Sequence, residues 1–270
     1  LELDFEAAVT QAAVTPDGVM ITLMGNVDLP DDIAAAAKLD AHGVGLLRTE
    51  FLVTGRAVLP TEDEQTDYFR RVSDAFPSHP VIVRSFDLGG DKFPAAFRAP
   101  QEANPFLGWR SIRVCLDHPE IFRPQIRAVL RAAAGRQIQL MLPLVTQIEE
   151  LTETKEMVLE EALALARDGI RAAASVPVGV MIETPAAALM ADEFAQHSAF
   201  FSVGTNDLVQ YTLAVDRGNA RLAERFTHFH PAVVRQLKSI LDAGQRAGIS
   251  VSVCGEMASD PLAVVLLLGL

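Results

Sequence analysis

The stretch 200–219 reads FFSVGTNDLVQYTLAVDRGN and places a carboxamide, a carboxylate and a guanidinium, Asn206, Asp207 and Arg217, on turns that leave one apolar run. Other chemically capable side chains follow apolar runs in the same way: Arg48 after 43–47, Arg84 after 81–83, Glu183 after 178–182 and Cys254 after 249–253. Asn26 follows the run 19–24, and Pro143 closes 138–142 without a reactive group. Helix caps and turns account for Asn and Asp at such ends. Two arginines, a glutamate and a cysteine are not turn residues, and their repetition predicts a shared site.

Arg48, Arg84 and Arg217 converging on one mouth would hold a polyanion through bidentate contacts, as a phosphate plus a carboxylate requires. Any one of them could instead be structural. Glu183 and Asp207 end consecutive strands, which lie about 4.8 Å apart, so both carboxylates can reach a common ion. Two oxygen ligands, with the other positions left to substrate and water, suit Mg2+, and Mn2+ also fits; the alternative is an ion pair with a nearby arginine. A free thiol has a pKa of about 8.5, so Cys254 is mostly protonated at neutral pH and can serve as a general acid. The alternative for Cys254 is a small core hydrophobe, the role that the helical pattern 111–116 predicts for Cys115.

The elements that must carry these residues follow from periodicity. Residues 1–18 read as a lead-in that ends in the turn Thr15-Pro16-Asp17-Gly18. Strands are expected at 19–24, 43–47, 81–83, 138–142, 178–182, 200–203 and 249–253. Helices are expected between them: 30–40 with Asp31 and Asp32 in its first turn, and one opened by the capping box Thr61/Glu64 and running to about 76. A third has Pro119 near its start, and a fourth is opened by a box of Thr146 with Glu149 and runs to about 167. Thr184 caps a helix with Pro185 at its first position, and a last one runs from Pro231 to a stop at Gly248. Seven strands alternating with seven helical segments predict a parallel sheet, and the (β/α)8 TIM barrel fits best, with residues 19–270 as one barrel domain that lacks its eighth strand. The end of the chain in the apolar run 261–270 reads the same way, as part of a longer polypeptide. In such a barrel the strands' C-terminal ends form the active-site face.

Composition bounds the function. The 270 residues are 50% hydrophobic and can bury a large core, and 23 basic against 35 acidic side chains give a net charge of −12. That balance argues against a nucleic-acid or anionic-membrane surface, so an anionic ligand must be held by locally gathered arginines. Two cysteines and no basic-then-apolar leader predict a reduced, cytoplasmic setting, and the longest apolar run is far short of the roughly 20 residues that span a bilayer.

The motifs GVGLLRTEF (43–51), SFDLGGDK (85–92), NPFLGWRSIR (104–113), GVMIETPAAAL (179–189), FFSVGTNDLVQYTLAVDRGN and CGEMASDP (254–261) together resemble the C-terminal domain of the Enzyme I family, the phosphoenolpyruvate-protein phosphotransferases of the bacterial sugar phosphotransferase system. The resemblance runs from about Gly18 to Leu270. It implies a (β/α)8 domain that binds phosphoenolpyruvate and Mg2+ and forms a homodimer. It implies Arg48, Arg84, Arg217, Asn206 and the Asp207 backbone as substrate contacts, Glu183 and Asp207 as metal ligands, and Cys254 as the proton donor that turns enolpyruvate into pyruvate. Arg110 and Lys92 match positions near the substrate. The family's phosphorylated histidine lies in a Gly-Gly-x-x-Ser-His type segment of an N-terminal domain, whose own partner is the histidine phosphocarrier protein. None of the six histidines here has that context, so this piece is expected to bind substrate without completing a phosphorylation cycle. Two other readings remain open at this point: the barrel of pyruvate phosphate dikinase or phosphoenolpyruvate synthase, and a non-catalytic sensor that uses the barrel for dimerisation.

Overall fold

The computed structural model describes residues 12–89 and 102–270. Seven short strands, β1 (Gly25–Val27), β2 (Val44–Leu47), β3 (Val81–Arg84), β4 (Ile138–Leu142), β5 (Val178–Ile182), β6 (Phe200–Val203) and β7 (Ser250–Val253), pair in chain order as one all-parallel sheet. Helices cross over between them: α1 (Pro30–Lys38), α2 (Glu62–Ala75), α3 (Ile112–Asp117) with α4 (Pro119–Ala132), α5 (Ile148–Arg167), α6 (Pro185–Leu189) with α7 (Ala191–His197), and α8 (Thr205–Leu213) with α9 (Pro231–Ala247). After β7 comes α10 (Pro261–Gly269). The sheet curls as a half-barrel until its two edges approach: Asn26 of β1 donates through Nδ2 to the carbonyl of Cys254, just after β7, at 3.5 Å.

The pleat sorts side chains into two apolar layers. Val81, Val83, Leu140, Leu142, Val180, Ile182, Phe201 and Val203 face the helices and join one continuous buried cluster with Phe69, Phe122, Leu130 and Phe194. Leu46, Ile82, Met141, Met181 and Phe200 point the other way and fill the hollow of the curled sheet, with Met24 and Cys254 packed against them. Strands buried on both faces are apolar apart from Arg84, Gln139 and Ser202, as crossover parallel sheets favour. Each fully buried large side chain contributes about 1.5–3 kcal/mol.

Local signals set most boundaries. Thr61 accepts from the Glu64 amide at 3.2 Å while Glu64 accepts from the Thr61 amide at 2.8 Å, completing the expected box. Thr184 caps α6 through the Ala187 amide, and Gly248 ends α9 at φ +69°. Two expectations are corrected. The first strand is Gly25–Val27 and not 19–24: Met20 makes only an isolated antiparallel bridge to Val14, and Val19, Met20 and Leu23 are exposed. The ladder to β2 begins where Gly25 donates to the Gly43 carbonyl, so the glycine and asparagine taken for a turn are the strand. Before α5 the box runs through Glu150 and not Glu149, because Glu150 accepts from the amides of Thr146 and Gln147 at 2.6 and 2.9 Å. Among the described residues no helix is long and apolar enough to cross a membrane.

Truncating the fully buried Phe122 on α4 is expected to cost about 3–5 kcal/mol, whereas Leu163→Ala on α5, 57% exposed, should change stability by less than about 0.5 kcal/mol. Denaturant unfolding of both variants checks this difference.

Candidate functional site

The inward faces of β2, β3 and β5 are apolar up to a charged residue at or just beyond the strand's end. Two residues beyond inward Met24, Leu46, Ile82, Met181 and Ser252 stand Asn26, Arg48, Arg84, Glu183 and Cys254, and alternation brings each to the same rim. A cleft of about 620 Å3 opens there, lined by Arg48, Arg84, Arg110, Glu183, Asn206, Asp207, Arg217 and Cys254. Every site residue expected from the sequence thus meets in one cleft except Lys92, which lies outside the described residues. Asn206 and Asp207, read as turn residues, occupy the first turn of α8.

The arginines are held by carboxylates. Arg48 pairs with Asp28 at 2.5 Å. Arg84, at the end of β3, donates to Glu50 at 2.9 Å and lies 3.5 Å from Asp87. Arg110 makes a forked contact with both oxygens of Asp87 at 2.8 Å through one nitrogen, and its guanidinium stacks over the Phe106 ring at 5.5 Å. Arg217 reaches Asp207 at 3.1 Å from a 40% exposed side chain. Burial pulls the Arg84 guanidinium down, but Glu50, Asp87 and Glu183 outweigh it and hold the group charged, above its usual range. The Nε atoms of Arg48 and Arg84 are buried with no partner. These orphaned donors carry a desolvation cost within the walls of the cleft that both side chains line.

Glu183 faces a different balance. Burial, reinforced by the charges of Asp207 and Asp87, pushes its carboxyl up to about 8, against the opposing pull of Arg84. One oxygen accepts from the Leu144 amide at 2.7 Å. Leu144 adopts a left-handed backbone at φ +56°, strain of about 1–2 kcal/mol that aims its amide at the carboxylate. Strand β4, which offers no reactive side chain at its end, therefore contributes a backbone donor. Gly204 is the residue that lets this carboxylate sit where it does, since a Cβ there would come within 2.5 Å of Glu183 Oε2.

Four arginines face six carboxylates across the cleft lining. A trianionic ligand would deepen that deficit of positive charge, and a divalent cation at Glu183 and Asp207 would offset it. Hard carboxylate oxygens fit Mg2+ or Mn2+. Among the described residues no group of three or more His, Cys, Asp and Glu side chains could hold a metal ion alone, which leaves any such ion in need of ligand or water oxygens.

Cys254 is half-buried, with Sγ 3.5 Å from the Val203 carbonyl. Burial pushes its thiol up to about 11, partly offset by Ser202. Its loop is tethered on two sides, by Asn26 at the Cys254 carbonyl and by Asn206, which accepts from the Glu256 amide at 3.2 Å. Cys115, by contrast, is fully buried in α3 and belongs to the core.

Sequence reasoning missed the carboxylates that orient the arginines. Asp28, Glu50 and Asp87 all line the cleft; the last two stand inside LLRTEF and SFDLGGDK, beside the residues singled out. It also missed Tyr211, whose hydroxyl donates to the Phe106 carbonyl at 2.5 Å and ties α8 to the turn before Arg110.

Comparison with known proteins follows from this geometry. Residues 4–270 match a family model described as PEP-utilising enzyme, PEP-binding domain. The chain belongs to this family. It is 46% identical over 262 residues to the phosphoenolpyruvate-protein phosphotransferase of Geobacillus stearothermophilus and 42% identical to that of Bacillus subtilis, covering 97% of this chain in both. The chain spans about half the length of these relatives, 45% and 46%. Among solved structures, an aldolase/citrate lyase family protein from Burkholderia cenocepacia aligns at TM-score 0.51 and 17% identity over 86% of this chain and 79% of that one. A citrate synthase aligns at TM-score 0.50 and 15% identity over 92% and 82%. At such identity the likeness concerns the fold alone, and it agrees with the curled parallel sheet of this PEP-binding domain.

The raised thiol of Cys254 carries its own test. With a pKa of about 11 only about one thiol in a thousand is ionised at pH 8. Iodoacetamide alkylation of Cys254, followed by mass spectrometry, should keep accelerating about tenfold per pH unit beyond pH 9. A plateau near pH 9, as for a free thiol, would contradict the burial argument.

Proposed function

We propose that this domain binds phosphoenolpyruvate with Mg2+ in the cleft and, in the complete protein, supports phosphoryl transfer to a histidine outside this chain with release of pyruvate. The observation that carries the reading is that two arginines from strand ends, two more from loops, two carboxylates and a thiol surround one cleft in a chain of the PEP-binding family. The relatives' names support protein phosphorylation as the reaction class, and the further partners are then a phosphohistidine domain of the same polypeptide and, through it, a histidine phosphocarrier protein. A cytoplasmic homodimer and a (β/α)8 barrel closed by an eighth unit complete the proposal.

Arg48 and Arg84 line the cleft and would present their guanidinium groups to the phosphate and carboxylate of the substrate. Arg110 and Arg217 extend that positive wall, and Asn206 supplies a polar edge beside them. Glu183 and Asp207 would hold the ion, which when bound neutralises charge on the transferring phosphoryl group. The histidine nitrogen forms its bond to phosphorus as the bridging P–O bond breaks, and the electron pair stays with the enolate oxygen of the departing pyruvate. The enolate then takes a proton at its methylene carbon. Cys254 supplies that proton: burial keeps the thiol neutral until a strongly basic carbon faces it, and the thiolate left behind is reprotonated from solvent before the next cycle.

Calorimetry with phosphoenolpyruvate, with and without Mg2+, tests the binding step. Binding should depend on Mg2+, and Glu183→Gln should remove that dependence; full metal-dependent affinity in the variant would refute the ligand assignment. In the complete protein Cys254→Ala should bind phosphoenolpyruvate within about threefold of wild type while turnover falls by at least about 100-fold. Unchanged turnover would take the thiol out of the mechanism.

A further inference from the structure

One nitrogen of Arg110 stands between two carboxylates: it is 2.8 Å from Asp87 Oδ2 and 3.8 Å from Asp207 Oδ2. The forked contact to Asp87, completed by Nε at 3.2 Å, fixes the guanidinium on the near side of that gap. Asp87 is itself immobilised, since its amide donates to Glu50 Oε1 at 3.0 Å and its Oδ2 also faces Arg84 at 3.5 Å. Asp207 already carries Arg217 on its other oxygen at 3.1 Å. A second guanidinium in full contact would leave Asp207 with both oxygens engaged.

We propose that Asp87 is a positioning residue that holds the Arg110 guanidinium away from Asp207, so that one oxygen of Asp207 stays open to a divalent cation. This rests on the reading of Asp207 as a metal ligand given above. Without the Asp87 charge, a buried guanidinium 3.8 Å from Asp207, beyond hydrogen-bond distance, would close the gap, because a buried cation that has lost its partner is strongly disfavoured. The anion-binding wall and the ion site are then set by one carboxylate that Arg84 and Arg110 share. Groups that support a ligand without touching the ion typically change affinity about 10–100-fold when lost.

Mn2+ alone, followed by electron paramagnetic resonance of the free ion in titrations of the complete protein, separates the possibilities. Asp87→Asn should weaken Mn2+ binding at least about tenfold. With Arg110→Gln in the same chain there is no guanidinium to move, and the double variant should bind Mn2+ within about threefold of wild type. Unchanged affinity in Asp87→Asn would overturn the proposal. Equal weakening in both variants would also overturn it, by showing that Asp87 acts through its own charge. If Asp87→Asn fails to fold, Asp87→Ser, which also removes the charge, takes its place in the same comparison with its Arg110→Gln double variant. Absence of Mn2+ binding by the wild-type protein would instead sink the metal-ligand reading on which the inference stands.

Discussion

A parallel strand alternates its side chains, and a sheet curled with one face inward gives every strand an inward column that must end at the same rim. In this domain the inward columns are apolar where the sheet closes on itself, through Leu46, Ile82, Met141, Met181 and Phe200. The next inward position on three of those strands is Arg48, Arg84 or Glu183. No long-range instruction is needed to assemble the cleft, because the pleat and the curl do it together. The same constraint explains why a one-residue slip of any strand would be intolerable: Arg84 would turn into the helix-facing layer and Val83 into the hollow.

Collecting charges at a rim does not by itself make them usable. Guanidinium and carboxylate groups removed from water will pair wherever they can, and the network around Arg84 shows how the fold directs that pairing. Glu50 and Asp87, which line the same cleft, take two of the arginines, while the Nε atoms of Arg48 and Arg84 are buried without partners. Glu183 lies at the opposite extreme, with a single backbone donor and two carboxylate neighbours that raise its affinity for protons. The arrangement favours folding less than full pairing would, and the unsatisfied groups mark where a ligand completes the balance.

Much of this was legible in the sequence. Strands β4, β5 and β6 and the capped starts of α2, α6 and α9 followed from short apolar runs with unambiguous neighbours such as Thr184-Pro185 and His230-Pro231. The first strand was misplaced because 19–24 is apolar enough to pass for a buried strand, yet the ladder forms at Gly25, Asn26 and Val27, whose composition signals a turn. The site's arginines and acids could be read from where they follow apolar runs. Their orienting carboxylates could not, since Glu50 and Asp87 look like ordinary loop acids until the fold brings Arg84 and Arg110 against them. The Leu144 amide was invisible for a more basic reason, as a backbone donor has no residue type to notice.

The seam between β1 and β7 bears directly on the chemistry. Every strand from β3 to β6 is almost wholly buried, whereas Ser250 is exposed and Val251, Ser252 and Val253 are only half-buried, which is the mark of a sheet edge. Arg48 belongs to the second strand from one edge and Cys254 to the other edge, so their separation across the cleft is set by how closely the two edges approach. The Cys254 loop is held from both sides: its amide donates to the Val203 carbonyl of β6 at 3.1 Å, Asn26 reaches its carbonyl across the seam, and Asn206 accepts from the Glu256 amide. Gly255 allows this closeness, because a Cβ at that position would come within 1.9 Å of Thr205 Oγ1. The thiol is thus placed by its own ladder to β6 together with the curl of the sheet, and anything that spreads the seam would change its distance from Arg48.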